Sequence, residues 1–337
     1  MNVLRRNPVC RLARIVSVGL FLFFGLPSLA AAQTPGQEDQ PEGYRIGVAV
    51  NQVFLPVSVR YVGGGFVPNL TKDDFLVYED GRLQTIQNFY SETVPVKVVL
   101  LVDASQSTRH TQASIRRAAL EFVQRLSPVD EVAVVGFNSR ATLLLDFSTD
   151  RNLVDLALRK IYPRGNTVLY DALFVTFDDL LKDVEGKTAV ILLTDGIDTG
   201  SMVTFDDAFQ LILRSSSPVY VVSKVEEYRA DAIELRKEFR RHVQIIPREL
   251  DDEFIQARAA DLRRLSELTG GRYLSTKDFH SLTDVYGQVA EELRHQYFLS
   301  YVPTNQARDG SWRAVEVKLK RGDVVARTRQ GYYAPGP

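Results

Sequence analysis

The apolar run Val98-Val-Leu-Leu-Val102, ended by Asp103-Ala-Ser105-Gln-Ser107, constrains the fold more than any other stretch. It is too short for an ordinary helix and rich in β-branched residues, so it reads as a strand buried on both faces. A helical pattern follows, with Ile115, Ala118, Ala119, Phe122 and Leu126 on one face. Asp103, Ser105 and Ser107 therefore fall in a loop at the carboxyl end of a strand, where open α/β sheets place their ligand sites. Side chains that offer only oxygen suit a hard cation such as Mg²⁺.

Buried strands and amphipathic helices alternate from Pro95 onward, the signature of a mostly parallel sheet covered on both faces. Strands are expected at Lys97–Asp103, Glu131–Phe137, Ala141–Leu145, Lys187–Asp195, Pro218–Lys224 and Arg272–Ser275. Only Asn138-Ser139-Arg140 separates the second from the third, which predicts a hairpin with an antiparallel edge strand. Helices are expected near Thr111–Leu126, Asp150–Ile161, Val168–Val184, Phe205–Arg214, Asp261–Thr269 and Phe279–Arg294. A further helix over Glu226–Arg241 lies in a charged insertion at 225–260, with Arg236-Lys237 and Arg240-Arg241-His242 on its polar face.

The flanks have a different period. Tyr44–Val50, Leu55–Val62, Asp74–Arg82 and Gln84–Phe89 read as strands, with a hairpin turn at Gly63-Gly64-Gly65 and another at Asp80-Gly81. β-strand patterning returns at Tyr297–Val302, Ala314–Leu319 and Val324–Thr328. The first group is too short to be stable alone, so it is expected to pair with the second. The fold class is then α/β: a doubly wound, mostly parallel, Rossmann-like sheet inserted in a small discontinuous β domain of sandwich type. Expected boundaries are a signal peptide at 1–32, a disordered leader at 33–43, β segments at 44–93 and 296–334, and the α/β domain at 94–295.

The signal peptide rests on Arg5, Arg6, Arg11 and Arg14 ahead of the apolar run Ile15–Leu26, then Ala30-Ala31-Ala32. That run is too short to span a bilayer comfortably, so the mature chain is read as having no membrane span and as exported, periplasmic or extracellular. The single cysteine, Cys10, falls inside it, which excludes disulfides and thiolate sites from the mature chain. Loss of four arginines and no acid takes the net charge from −1 to −5, unlike the basic footprint of a nucleic-acid binder.

Two more segments match the opening loop in kind. Gly165-Asn166-Thr167 precedes a helix, and Leu192-Leu-Thr194-Asp195-Gly196 ends the next strand. A doubly wound sheet brings the three loops to one edge, and with them Asp103, Ser105, Ser107, Thr167 and Asp195. The order D-x-S-x-S, a Thr before a helix, then T-D-G resembles the metal-ion-dependent adhesion site (MIDAS) of von Willebrand factor type A domains. The wider layout is similar to the secreted bacterial von Willebrand factor A-related group: L-x-x-D-F-x-V-x-E-D-G-x-x-Q at Leu70–Gln84, L-Y-D-A-L at Leu169–Leu173, R-x-Q-Y-x-L-x-Y-x-P at Arg294–Pro303 and G-Y-Y-A at Gly331–Ala334. Gln106 stands where that family commonly has Gly, Thr108 where it has Met, and Asn166 where Gly is frequent. Asn tolerates a left-handed backbone at such a position.

The resemblance implies a Mg²⁺ site, with Mn²⁺ or Ca²⁺ as alternatives, that is held directly by Ser105, Ser107 and Thr167 and largely through water by Asp103 and Asp195. It implies a protein partner presenting Asp or Glu to the ion, and cell adhesion rather than catalysis. The residues themselves speak against an enzyme. The first strand is not followed by G-x-G-x-x-G, no G-x-S-x-G or H-E-x-x-H occurs, and His110, His242, His280 and His295 are scattered. A metal-independent envelope scaffold is the competing reading, and a divalent-metal hydrolase a third. Asp171 and Asp198 are expected to cap helices or face solvent rather than bind metal.

Overall fold

The computed structural model describes residues 52–91, 94–109, 112–242, 246–275 and 280–336, without the side chains of 240–242 and 280–283. The expected signal peptide, leader, strand at 44–50, Cys10 and His110 lie outside the described residues.

In chain order, β1 (Val53–Tyr61), β2 (Phe75–Glu79), β3 (Arg82–Gln84) and β4 (Ile86–Tyr90) come first. Then follow β5 (Val96–Asp103), α1 (Gln112–Arg125), β6 (Glu131–Phe137), β7 (Ala141–Ser148), α2 (Arg151–Arg159) and α3 (Leu169–Val175). Next are β8 (Lys187–Thr194), α4 (Phe205–Arg214), β9 (Val219–Ser223), α5 (Val225–His242), α6 (Asp252–Leu268), β10 (Tyr273–Ser275) and α7 (His280–Arg294). The chain closes with β11 (Gln296–Tyr301), β12 (Trp312–Leu319), β13 (Val324–Arg327) and β14 (Gly331–Tyr333).

The central sheet has the order β10-β9-β8-β5-β6-β7. It is parallel except for β7, which pairs antiparallel with β6 at the edge. β5 lies in the middle, and its alternate residues serve opposite faces. Val98, Leu100 and Val102 pack with Ile115, Ala119 and Phe122 of α1 and Tyr286 and Val289 of α7. Val99 and Leu101 pack with Leu169 and Leu173 of α3 and Ile212 of α4. Burial of both faces explains why the strand has no polar alternation.

The flanking strands make two antiparallel sheets, β13-β1-β11-β4 and β14-β12-β2-β3. β1 pairs with β11 and β13, and β2 with β12, so the early β segment is completed by the late one. Leu55, Val57, Val59, Val77, Tyr297 and Leu299 are shielded from solvent and form one core between the two sheets. The crossings into and out of the central segment lie together, since Val94, Pro95 and Val96 line one cavity with Ala290, Leu293 and Arg294. Lys187 at the start of β8 is buried there, and its ammonium donates to the carbonyls of Leu293 (2.5 Å) and Gln296 (3.4 Å).

Three expectations need correction. The return strand Gln84–Phe89 is two strands: β3 pairs with β2, while β4 crosses to β11 in the other sheet after Thr85 alone. The helix at Val168–Val184 is α3 followed by a π turn, Thr176–Leu180, in which the Thr176 hydroxyl donates to the Ala172 carbonyl at 2.7 Å. Phe177 and Leu180 of this turn both reach the core. α6 begins nine residues before the expected Asp261, capped by Asp251, whose carboxylate accepts from Glu253 N (2.9 Å). On the polar face of α5, Arg236 pairs with Asp251 at 3.4 Å, and Arg229 donates to Asp252 at 3.0 Å.

Gly271 shows how tightly β9 is held. A Cβ there would stand 2.0 Å from the Val219 carbonyl oxygen, a backbone atom that cannot step aside. Gly271→Ala is expected to lower stability by about 1–3 kcal/mol or more, read as a fall in urea midpoint, and an unchanged midpoint would mean that the 270–272 turn can shift freely.

Candidate metal centre

The carboxyl ends of β5 and β8 and the loop before α3 meet at one edge of the central sheet. Backbone hydrogen bonds stitch them: Arg164 N donates to Ala104 O (2.9 Å), Gln106 N to Gly165 O (3.3 Å) and Ala104 N to Phe137 O (2.7 Å). Gly165 takes φ 68°, and a Cβ on it would meet the Ser139 hydroxyl at 2.3 Å. That hydroxyl accepts from Asn166 N (3.1 Å). The left-handed residue is thus Gly165, not Asn166, and the sequence expectation for Asn166 is corrected.

Asp103 is 0% exposed and Asp195 4%. Asp103 accepts from Ser105 N (2.9 Å) through one oxygen and from the Thr194 hydroxyl (2.8 Å) through the other. Asp195 accepts from Ile197 N (3.1 Å) and from the Ser107 hydroxyl (2.5 Å), and Ser105 Oγ stands 2.9 Å from Ser107 Oγ. Four of the five residues named from sequence are therefore linked side chain to side chain or lie one bond from that chain. Thr167 is buried in the adjoining loop and fixed through its backbone: its N–H donates to the Thr199 hydroxyl (2.9 Å), and its carbonyl accepts from Thr199 N (2.9 Å) and Gly200 N (3.1 Å).

Three residues take supporting roles that the sequence expectations do not assign. Thr194 holds Asp103, Thr199 holds Thr167, and the Thr108 hydroxyl donates to Ser105 O at 2.9 Å, closing the loop where the related family commonly has Met. Thr194, one residue before Asp195, and Thr108, one after Ser107, carry a local signal. Asp198 caps a helix as expected, whereas Asp171, within α3, ties down the loop before α4. Asp198 accepts from Leu169 N (2.8 Å) at the start of α3, and Asp171 from Met202 N (2.9 Å) and Val203 N (2.8 Å).

Electrostatically the site is short of positive charge. Burial, and then the neighbouring Asp195, push the Asp103 carboxyl up to about 7. Burial raises Asp195 as well, against the lowering effects of the Ser107 and Ile197 hydrogen bonds and of Lys224. Lys224 is itself paired with Glu227 at 3.0 Å. Tyr228 of α5 is pushed up to about 12 by burial and then by Asp195. Two buried carboxylates beside hydroxyl oxygens match what a small divalent cation needs, since its charge would relieve both. Among the described residues no group of three or more His, Cys, Asp or Glu side chains is placed to hold a metal, so a site here depends on its hydroxyls.

Residues 98–197 match the sequence model of the von Willebrand factor type A domain. A UPF0353 protein of Mycobacterium marinum is 22% identical over 220 residues, covering 59% of this chain and 61% of that protein. The chain thus spans about three fifths of the length of such relatives. Among solved structures, the vWF domain of the type V pili tip protein Mfa5 from Porphyromonas gingivalis aligns with TM-score 0.45 and 12% identity, over 59% of this chain and 95% of that one. Proximal thread matrix protein 1 from the mussel byssus, in a structure with a zinc-occupied MIDAS motif, aligns with TM-score 0.46 and 15% identity, over 64% and 49%. With the family match falling on β5 through the end of β8, the segment that carries the loops described above, the chain contains a von Willebrand factor type A domain.

Proposed function

We propose that the chain is an exported, adhesion-type protein-binding module that takes a partner's Asp or Glu through a divalent ion, Mg²⁺ above all. Ser105, Ser107 and Thr167 would hold the ion directly, with Asp103 and Asp195 acting largely through water. The ion supplies a Lewis-acidic position for the incoming carboxylate. The observation that carries this reading is the chain of contacts from Ser105 Oγ to Ser107 Oγ to Asp195, beside a buried Asp103. Because the Ser107 hydroxyl gives its proton to Asp195, it accepts from the Ser105 hydroxyl, which leaves one lone pair on Ser107 and both on Ser105 for an ion.

Each carboxylate accepts one hydrogen bond from its own loop and one from the facing segment: Asp103 from Ser105 N and the Thr194 hydroxyl, Asp195 from Ile197 N and the Ser107 hydroxyl. A carboxylate oxygen has a second lone pair, so both can still accept from an ion-bound water, the indirect role given to them here.

Calorimetric titration of the chelator-treated protein with MgCl₂ or MnCl₂ tests the reading. A saturable one-to-one heat and a raised melting temperature are expected, followed by binding of a glutamate-bearing peptide only with metal present. No heat and no melting shift would instead support a metal-independent scaffold. Thr199→Val removes the hydroxyl that accepts from Thr167 N while keeping the residue's shape. It is expected to weaken Mg²⁺ affinity by roughly 3–10-fold, the worth of about one supporting hydrogen bond, with the melting curve of the metal-free protein nearly unchanged.

A further inference from the structure

The three segments that form the site also carry basic side chains that the metal reading does not use. Arg109 follows the short helical turn Gln106–Thr108, Arg140 lies between β6 and β7, and Arg164 precedes Gly165. All three are exposed. Their backbones are locked into the same edge by Arg109 N to Gln106 O (3.3 Å), Asn138 N to Arg140 O (3.2 Å) and Arg164 N to Ala104 O (2.9 Å). Among the described residues none of the three has a carboxylate within ion-pair distance. Other arginines of the chain do find one: Arg116 and Arg159 share Asp155, and Arg313 takes Asp309.

The acidic groups nearby are already committed. Glu227 is paired with Lys224, and Glu226 stands 3.9 Å from Arg229, both on the β9 and α5 side. Positive charge is therefore unspent on the β6 side of the site. Two large apolar side chains stand out at the same edge: Tyr162 is 69% exposed two residues before Arg164, and Met202 is 90% exposed in the loop after β8.

We propose that Arg109, Arg140 and Arg164, with Tyr162 and Met202, form a recognition rim for an acidic polypeptide segment. One carboxylate of that segment goes to the ion, and neighbouring Asp or Glu side chains pair with the arginines. This rests on the metal-site reading above and narrows it, from any protein with one exposed acid to one presenting several beside an apolar residue. Guanidinium groups suit carboxylates because they donate in a planar, two-pronged geometry. Single pairs at a solvated rim contribute little, so the selectivity is cumulative, acts strongly on association rate and fades with salt. Exposed Tyr and Met favour a polypeptide over a sulfated polysaccharide, since such residues are enriched where proteins meet proteins.

The test uses the full chain in MgCl₂ and two fluorescent peptides: a glycine-serine peptide with a single glutamate, and the same peptide with a glutamate run around a phenylalanine. The run is expected to bind about tenfold more tightly or better, with the advantage shrinking at about 0.5 M NaCl. Replacing Arg109→Gln, Arg140→Gln and Arg164→Gln together is expected to erase that advantage. Equal affinity for the two peptides, no binding of either, or an advantage that survives the triple replacement overturns the proposal. Displacement of the peptide by heparin at equal charge also overturns it, since any polyanion would then serve. Mg²⁺ calorimetry on the same samples separates the two readings. Absent metal heat sinks the metal site, and the rim then stands only if the glutamate run still binds, salt-sensitively, and loses affinity on arginine replacement.

Discussion

Asp103→Asn is expected to melt at a higher temperature than the wild-type protein without Mg²⁺, and to lose the Mg²⁺-dependent rise altogether. In the metal-free chain Asp103 and Asp195 are two buried carboxylates, and burial together with Asp195 pushes Asp103 up to about 7. An amide removes one of the two charges and can still accept from Ser105 N. Each kcal/mol so relieved raises the midpoint by roughly 2–4 °C in a domain of this size. The pH dependence has a definite sign. Between about pH 4 and pH 7 the folded chain keeps a proton on Asp103 that the unfolded chain has released, so metal-free stability falls as pH rises through that window. Mg²⁺ needs the carboxylate form, so its stabilising effect grows over the same window. Thermal melts at several pH values, with Mg²⁺ and with chelator, measure both. A variant that melts lower than wild type in chelator would make Asp103 a structural residue instead.

Glu292→Ala is expected to cost about 3–5 kcal/mol, the penalty for leaving buried partners of a lost charge. The Glu292 side chain is 0% exposed near the end of α7. One of its oxygens accepts from Ser58 of β1 (3.2 Å) and Tyr220 of β9 (3.1 Å). The other accepts from Arg327 of β13 (3.0 Å) and stands 3.6 Å from Arg272. A single carboxylate thus joins the central sheet, its last helix and the flanking sheet. Glu292→Gln keeps an acceptor for the hydroxyls but not the charge, and should cost less. Urea denaturation checks both, with the midpoint falling and the slope unchanged. A loss below about 1 kcal/mol for the alanine variant would mean that water replaces the carboxylate in that space.

The parts of this fold that can be read from the chain are those where local pattern and tertiary role coincide. β5 and β8 are apolar runs that lead into an acid, and both stop there because the edge of the sheet is where the loops turn out. The hairpin β6–β7 is marked by its three-residue polar turn. The splitting of β3 from β4 is not legible, because Gln84 and Ile86 are both buried and only pairing tells that they belong to different sheets. The early start of α6 is hidden by Gln256-Ala-Arg-Ala-Ala260, whose small and charged residues give a weak apolar stripe. Its cap, Asp251 followed by Asp252 and Glu253, is the available signal. At the proposed site, Asp103, Ser105, Ser107, Thr167 and Asp195 stand at strand ends and in a loop that the pattern of the chain marks out. Of those that hold them, Thr194 and Thr108 stand beside the motif residues, whereas Thr199 meets the Thr167 backbone from 32 residues away and leaves no local trace.

The chain enters the central segment at Val96 and leaves it after Arg294, on one side of the sheet, whereas Asp103 closes the opposite end of the same strand. Those ends are separated by the length of β5, roughly 25 Å at about 3.3 Å per residue. A pull applied at the Ser105 loop and resisted by the flanking sheets would run lengthwise along that strand. It would load the ladders to β6 and β8 in shear, so that many bonds must yield at once rather than one after another. Mechanical toughness along that axis is a property this connectivity confers on the loop that carries Ser105.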